Sequence, residues 1–175
     1  MSSPGPETIL FADDGETPNN PRLPLVLYRG AVQLEGAADP AAVFEEAFAR
    51  HGWRDGWRNG IFDFLHFHTG AHEVLGIARG QVTVELGGAK GSLIELRAGD
   101  VAVLPAGTGH RRIAGSRDLL VVGAYPDGGG NSDHVTPKRI DHTKAVAAIA
   151  STPLPEQDPV YGSDGPLTRL WKSGR

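Results

Sequence analysis

His66, His68 and Glu73 fall within eight residues of one another in the stretch GIFDFLHFHTGAHEVLGIARG, Gly60 to Gly80. On a β-strand successive side chains alternate faces, so His66 and His68 share a side with Cα atoms roughly 6.5–7 Å apart, a chelating separation. Thr69-Gly70-Ala71 turns the chain, and Glu73 opens a second apolar run, VLGIA, that can lie antiparallel beside the first. A carboxylate then faces two imidazoles. A later stretch, GDVAVLPAGTGH, Gly99 to His110, can deliver a third imidazole through a strand, a proline-containing turn and a return. Three neutral nitrogens and one hard oxygen suit a single divalent ion such as iron, manganese, nickel or zinc, without selecting among them. The chain has no cysteine, so thiolate sites and disulfides are excluded and any metal rests on His and carboxylate.

The same alternation extends the site. Phe62 and Phe64 share the face of His66 and His68, and Leu75 and Ile77 share that of Glu73. They either line an apolar small-molecule pocket or fill the space inside a narrow barrel. Arg112 alternates onto the side of His110, where a guanidinium would suit a carboxylate or enolate; a surface position is the other reading. His72, beside Glu73, points to the opposite face and reads as structural. No residue is singled out as catalytic.

The elements that must hold these residues follow from composition and pattern. At 175 residues the chain is sized for one domain, with 39% hydrophobic and 22% charged residues. A formal charge of −4 argues against general nucleic-acid binding. No run reaches the roughly 18 apolar residues of a membrane span, and the start lacks the order of a secretory signal, so a cytoplasmic location is expected. With 24 Gly and 13 Pro spread along it, the chain calls for many turns and short strands, hence an all-β fold with minor helix.

Residues 1–21 carry prolines and acids without periodicity and read as an extended or partly disordered arm. Leu23 to Arg29 reads as a strand at a sheet edge, because Pro24 cannot donate to a ladder. A helix over about 39–51 has Asp39 as N-cap, Pro40 in its first turn, an apolar stripe of Val43, Phe44, Ala47 and Phe48, and Gly52 as its stop. RHGWRDGWRNG repeats Gly-Trp-Arg; arginine and tryptophan so interleaved can stack bases or cap a cavity, but Trp53 and Trp57 are better read as filler between helix and sheet. IFDFLHFH, EVLGIAR, QVTVELG, SLIELR, DVAVLP, HRRIA and DLLVVGAYP are strands, and the barrel they build spans 22–126. Residues 127–175 form a tail packed on it, with a flexible PDGGGNSD loop, a short helix near His142 to Ala150 and an anchoring Trp171. GGAKGS lacks the Gly-Lys-Ser of a phosphate loop, PDGGGNSD lacks the spacing of a calcium loop, and no Gly-x-Ser-x-Gly elbow exists.

The two donor-bearing stretches resemble the paired motifs of the cupin superfamily. Motif one, G-x5-H-x-H-x4-E-x6-G, is met by Gly60, His66, His68, Glu73 and Gly80; motif two, G-x5-P-x-G-x2-H-x3-N, by Gly99, Pro105, Gly107 and His110, with Ala114 where Asn is usual. WRNGIFDFLHFHTGAHEVLGIARG, GDVAVLPAGTGH, VVGAYP and PLPEQDPVYGSDGPLTRLW further resemble the YjlB-like branch of bacterial cupins. The resemblance implies a double-stranded β-helix, or cupin jelly roll, with a metal held inside the barrel, often in a homodimer. On such a site a ferrous ion would permit dioxygenase chemistry on a small chelating substrate. A redox-inert ion would permit isomerase or lyase chemistry, and a site without turnover would serve a small-molecule sensor. The expected partner is a small molecule, with no nucleic acid and no membrane.

Overall fold

The alternating apolar residues of the middle of the chain resolve into antiparallel sheets whose inner faces share a core. The computed structural model describes residues 5–127 and 134–174. In chain order the elements are β1 (Glu7–Ile9), β2 (Leu25–Tyr28), α1 (Pro40–Arg50), β3 (Trp53–Asn59), β4 (Phe67–His68), β5 (Glu73–Arg79), β6 (Gln81–Leu86), β7 (Ser92–Arg97), β8 (Val101–Leu104), β9 (His110–Gly115), β10 (Leu120–Pro126), β11 (His134–Val135), α2 (His142–Ser151) and α3 (Pro166–Ser173). The larger sheet runs β1-β2-β8-β5-β10-β3, a second runs β7-β6-β9, and β4 pairs with β11. The protein is thus mostly β with three helices, an arrangement consistent with a jelly roll. Continuous ladders do not close it into a barrel among the described residues; His66 and His110 form an isolated bridge that links the edges of the small sheets. No helix among those residues is long and apolar enough to cross a membrane.

Parity along each strand of the larger sheet sorts its side chains into two cores. Leu25, Leu27, Leu75, Ile77, Ala102, Leu104 and Val121 point inward and meet Val82, Val84, Leu86, Ile94 and Leu96 of the second sheet. Val26, Tyr28, Val74, Val101, Val103 and Val122 point outward and are covered by Phe44 and Phe48 of α1 and by Leu167 and Trp171 of α3. Each fully buried aliphatic here contributes about 1.5–3 kcal/mol relative to exposure. α1 begins where Asp39 accepts a hydrogen bond from the Ala42 amide and Pro40 needs no donor. Gly76 lets it sit close, since a Cβ there would stand 2.4 Å from the Phe44 ring.

Three expectations are corrected. The arm is ordered from residue 5: it supplies edge strand β1, so β2 lies one strand in, and its Phe11, Thr17, Asn19 and Asn20 are buried. Pro24 is tolerated because it precedes the first paired residue of β2. The strand read over Ile61 to His68 shrinks to β4, with a bend at Asp63 and Phe64. Of the two Gly-Trp-Arg tryptophans read as filler between helix and sheet, Trp53 does enter the outer core with α1, but Trp57 lies on the inner side. The cause is a bulge. Tyr125 pairs with Arg54 and Gly123 with Trp57, so β3 spends one extra residue, and Asp55 takes a positive φ of 55°. The loop expected over PDGGGNSD falls, from residue 128 to 133, outside the described residues.

Candidate metal centre

His66 and His110 exchange both backbone hydrogen bonds, at 3.2 and 3.0 Å, which sets their rings 4.0 Å apart between centroids. His68 follows two residues on, its carbonyl accepting from the Gly107 amide at 2.7 Å, so motif one holds the loop of motif two by main chain. The coordinating nitrogens of the three histidines all lie within 4.8 Å of one another. Glu73 enters at the start of β5, where it pairs with Leu104. Its Oε2 stands 3.1 Å from His68 Nε2 and 3.4 Å from His110 Nε2. All four side chains are buried.

Hydrogen bonding fixes which nitrogens are available. His66 Nδ1 donates to the Phe64 carbonyl at 3.0 Å and His110 Nδ1 to the Thr108 carbonyl at 2.9 Å. A carbonyl only accepts, so each ring keeps a proton on Nδ1, and in the neutral ring Nε2 is a free lone pair. Burial, reinforced by His110, pushes His66 down to about 3, so it is neutral at physiological pH. Burial alone would raise the Glu73 carboxyl, but His68 and His110 outweigh it and hold the group well below the usual carboxylate range. Glu73 Oε2 lies 3.4 Å from His110 Nε2, is fully buried and, among the described residues, has no hydrogen bond of good geometry. A carboxylate oxygen and a neutral Nε2 this close repel each other unless a proton or a metal ion lies between. Donor atoms about 3 Å apart are what an ion about 2.1 Å from each would draw together. The residues present fit a divalent metal.

The carboxylate is steadied from behind. Tyr125 donates its hydroxyl to Glu73 Oε1 at 3.3 Å and accepts from Trp57 Nε1 at 3.0 Å. Gly123, opposite Trp57 across the ladder, leaves room for the indole, because a Cβ there would lie 2.2 Å from it. The loop before His110 is held by the arm. The Gly109 amide donates to Asn19 Oδ1 at 3.0 Å, and Asn19 Nδ2 donates to the carbonyls of Ala12 and Gly87, each at 2.9 Å. Asn20 Nδ2 adds a bond to the Ala106 carbonyl at 3.1 Å.

His72 lies on the opposite face from the donors. Its Nδ1 accepts from the Ala106 amide at 2.9 Å and its Nε2 donates to the Pro153 carbonyl at 3.0 Å, with its ring packed 4.7 Å from Trp171.

The donors form the floor of a cavity of about 210 Å³. Of the pocket residues expected from alternation, Phe62 and Leu75 line it. Three do not. Ile77 has the right parity but sits a step deeper, wholly within the inner core. Phe64 is turned outward, 42% exposed and stacked on Phe62, because the bend at Asp63 and Phe64 breaks the alternation. Arg112 is exposed; its amide donates to the Phe62 carbonyl at 2.9 Å, and the β6–β9 register shifts beside it. Ile61, Tyr125 and His134 line the cavity without having been singled out, and Trp57, read as filler between helix and sheet rather than as the cap of a cavity, lines it too. Tyr125 was within reach: in VVGAYP it shares parity with the inward Val121. Trp57 was harder, since the Asp55-Gly56 pair that marks the bulge turning it inward lies inside the Gly-Trp-Arg repeat, and His134 belongs to no motif.

No family model matches the chain. A protein of Bacillus subtilis (strain 168) named uncharacterized protein YjlB is 39% identical over 165 residues, covering 94% of this chain and 96% of that one. Among solved structures, the acireductone dioxygenase of Bacillus anthracis, with a cadmium ion in its active centre, is similar at 18% identity and a TM-score of 0.42, over 61% of this chain and 80% of that one. The 3,4-ketoisomerase QdtA of Thermoanaerobacterium thermosaccharolyticum is similar at 14% identity and a TM-score of 0.42, over 54% of this chain and 71% of that one. At such scores neither activity carries over to this chain.

Proposed function

The chain belongs to the YjlB family, and from the cupin motif spacing and its buried donors we propose that it is a metal-binding cupin acting on a small molecule, as a metal-dependent oxidoreductase of the dioxygenase type. The observation that carries this reading is the convergence of three imidazoles and one carboxylate on the floor of a small cavity. The ligands are His66, His68, Glu73 and His110, and they suit iron, manganese, nickel or zinc. Such an ion supplies Lewis acidity with open positions for substrate, and as ferrous iron it also supplies reactivity toward dioxygen. Glu73 offsets one of the ion's charges while Tyr125 fixes its second oxygen. Leu75, Ile61 and the Trp57 indole exclude water from the donors and give the substrate an apolar wall.

A second reading has its own observation. The Tyr125 hydroxyl lies in the cavity beside Glu73, positioned to move a proton in Lewis-acid isomerase or lyase chemistry with a redox-inert ion.

Metal analysis of protein purified without oxygen tests the centre: about one divalent ion per chain is expected, and less than about half an equivalent overturns it. His110→Ala should lose that ion while the far-ultraviolet spectrum of the fold is kept. Oxygen uptake with a panel of small enols and catechols then separates the chemistries. Consumption coupled to substrate loss supports the dioxygenase, turnover indifferent to anaerobiosis moves the assignment to isomerase or lyase, and binding without turnover leaves a sensor.

A further inference from the structure

We propose that the cavity takes a ligand with a planar aromatic body and a single chelating anionic end, and that it discriminates against ligands bearing a second anionic group such as a phosphate. The inference rests on the metal-centre reading above and adds to it the chemical class of the ligand. Its first support is apolar surface left uncovered at the cavity. Phe62 lines the cavity yet is 47% exposed, a large ring in contact with solvent where the inner core lies one layer below. It is held for contact, stacked on Phe64 at 4.9 Å and set edge-on to His66 at 5.2 Å, with the His134 ring at 5.6 Å. Exposed aromatic surface concentrated at a concave site is what a ligand ring covers. The second support is Trp57, whose indole is pinned by its bond to Tyr125 and by the missing side chain of Gly123, so a flat, pre-set wall greets the ligand at no ordering cost.

The third support is charge. Among the described residues no lysine or arginine lines the cavity, Arg112 having gone to the surface, and Glu73 is the one carboxylate in its lining. An ion on the donors compensates one anionic end. A phosphate or second carboxylate farther out would be desolvated with no cation to meet it, a cost that the neutral walls cannot offset. The volume, about 210 Å³, is of the order of a single substituted ring.

Two hydroxamates share a chelating end and differ only in the body it carries. Protein loaded with nickel or zinc, its metal content measured first, is titrated with benzohydroxamate, acetohydroxamate and glucose 6-phosphate. Benzohydroxamate should bind at least about tenfold tighter than acetohydroxamate, the gain expected from burying one ring against aromatic walls. It should quench tryptophan fluorescence, and Trp57→Phe should abolish that quench, Trp53 and Trp171 being buried in the outer core. Phe62→Ala, a half-exposed position whose loss leaves the core packed, should bring the two hydroxamates to within about twofold. Glucose 6-phosphate should not compete. Retained metal with equal hydroxamate affinities, or with competition by the sugar phosphate, overturns the ligand class and leaves the metal centre standing. Failure to retain metal removes the centre itself and the ligand class with it.

Discussion

His66 and His110 each give their Nδ1 proton to the carbonyl two residues upstream, so the direction of both free nitrogens is written into short stretches of chain rather than into distant packing. The donors were legible in the sequence for a related reason: motif spacing fixes them locally. Tyr125 and Trp57 come from strands with no motif, and only the ladder brings them to Glu73. Tyr125→Phe should leave the Glu73 carboxylate less well held and strand the Trp57 N–H. Metal affinity should fall about tenfold, as for lost outer partners of metal ligands, and stability by about 1–2 kcal/mol, both readable by competition with a chromophoric chelator and by urea unfolding. Unchanged affinity would remove Tyr125 from the site. His66 also predicts a pH dependence of the metal-free protein. Its folded value, about 3, lies below its unfolded value of 6.5, so between these the unfolded chain binds a proton that the folded chain refuses. Stability therefore rises with pH across that window and is lost as pH falls through it, by about 2 kcal/mol from pH 7 to pH 5 for this group alone. Glu73, held low, adds its loss only below its ordinary value of 4.5. A urea midpoint that moves as much in His66→Gln as in the parent would contradict the assignment.

Among the elements, those with strong periodicity were read correctly in kind: α1 through its cap and stripe, and β5 to β10 through alternation between turn residues. What sequence could not supply was the interruption of a pattern. The bulge at Asp55 reverses parity between Trp53 and Trp57 and is marked only by the Asp55-Gly56 pair, which the Gly-Trp-Arg repeat absorbs, while the bend at Asp63 and Phe64 ends parity before His66 with no glycine or proline at the break. The arm's extended course was legible but its burial was not, because that comes from long-range side-chain bonds and not from any period. Asn19 is the clearest case: φ of 51°, buried, and bonded to Ala12, Gly87 and Gly109. Asn19→Ala should cost about 2–3 kcal/mol, because a buried amide and two carbonyls lose their partner. It should also weaken metal retention by loosening the backbone just before His110, whereas a surface control such as Glu46→Ala should do neither. A stability loss with metal affinity intact would show that the arm serves the fold alone.

For the molecule as a whole, a fold of many short strands was legible, but β1, β3 and β11 were not among those read, and neither was the manner of closure, because the sheet edges meet through backbone bonds of the irregular stretch around His66. The tail is fastened through Asp158. This fully buried carboxylate accepts from the Tyr28 hydroxyl and from the amides of Val160, Tyr161 and Leu167. Burial and that carboxylate push the Tyr28 phenol well above its ordinary value. Asp158→Ala should cost about 3 kcal/mol or more by orphaning those donors, and hydrogen exchange should quicken first across residues 152–171. Uniform exchange over the whole chain would mean that the tail does not open separately.

The arm and the tail each fasten to the immediate neighbour of a proposed metal donor: Asn19 to Gly109, which precedes His110, and Pro153 to His72, which precedes Glu73. A graft of the β-rich middle alone into another protein would carry all four donors yet cut both moorings. Duplication or shuffling can therefore pass this centre on intact only when the chain travels end to end, and a fragment would inherit the ligands without the tension that aims them.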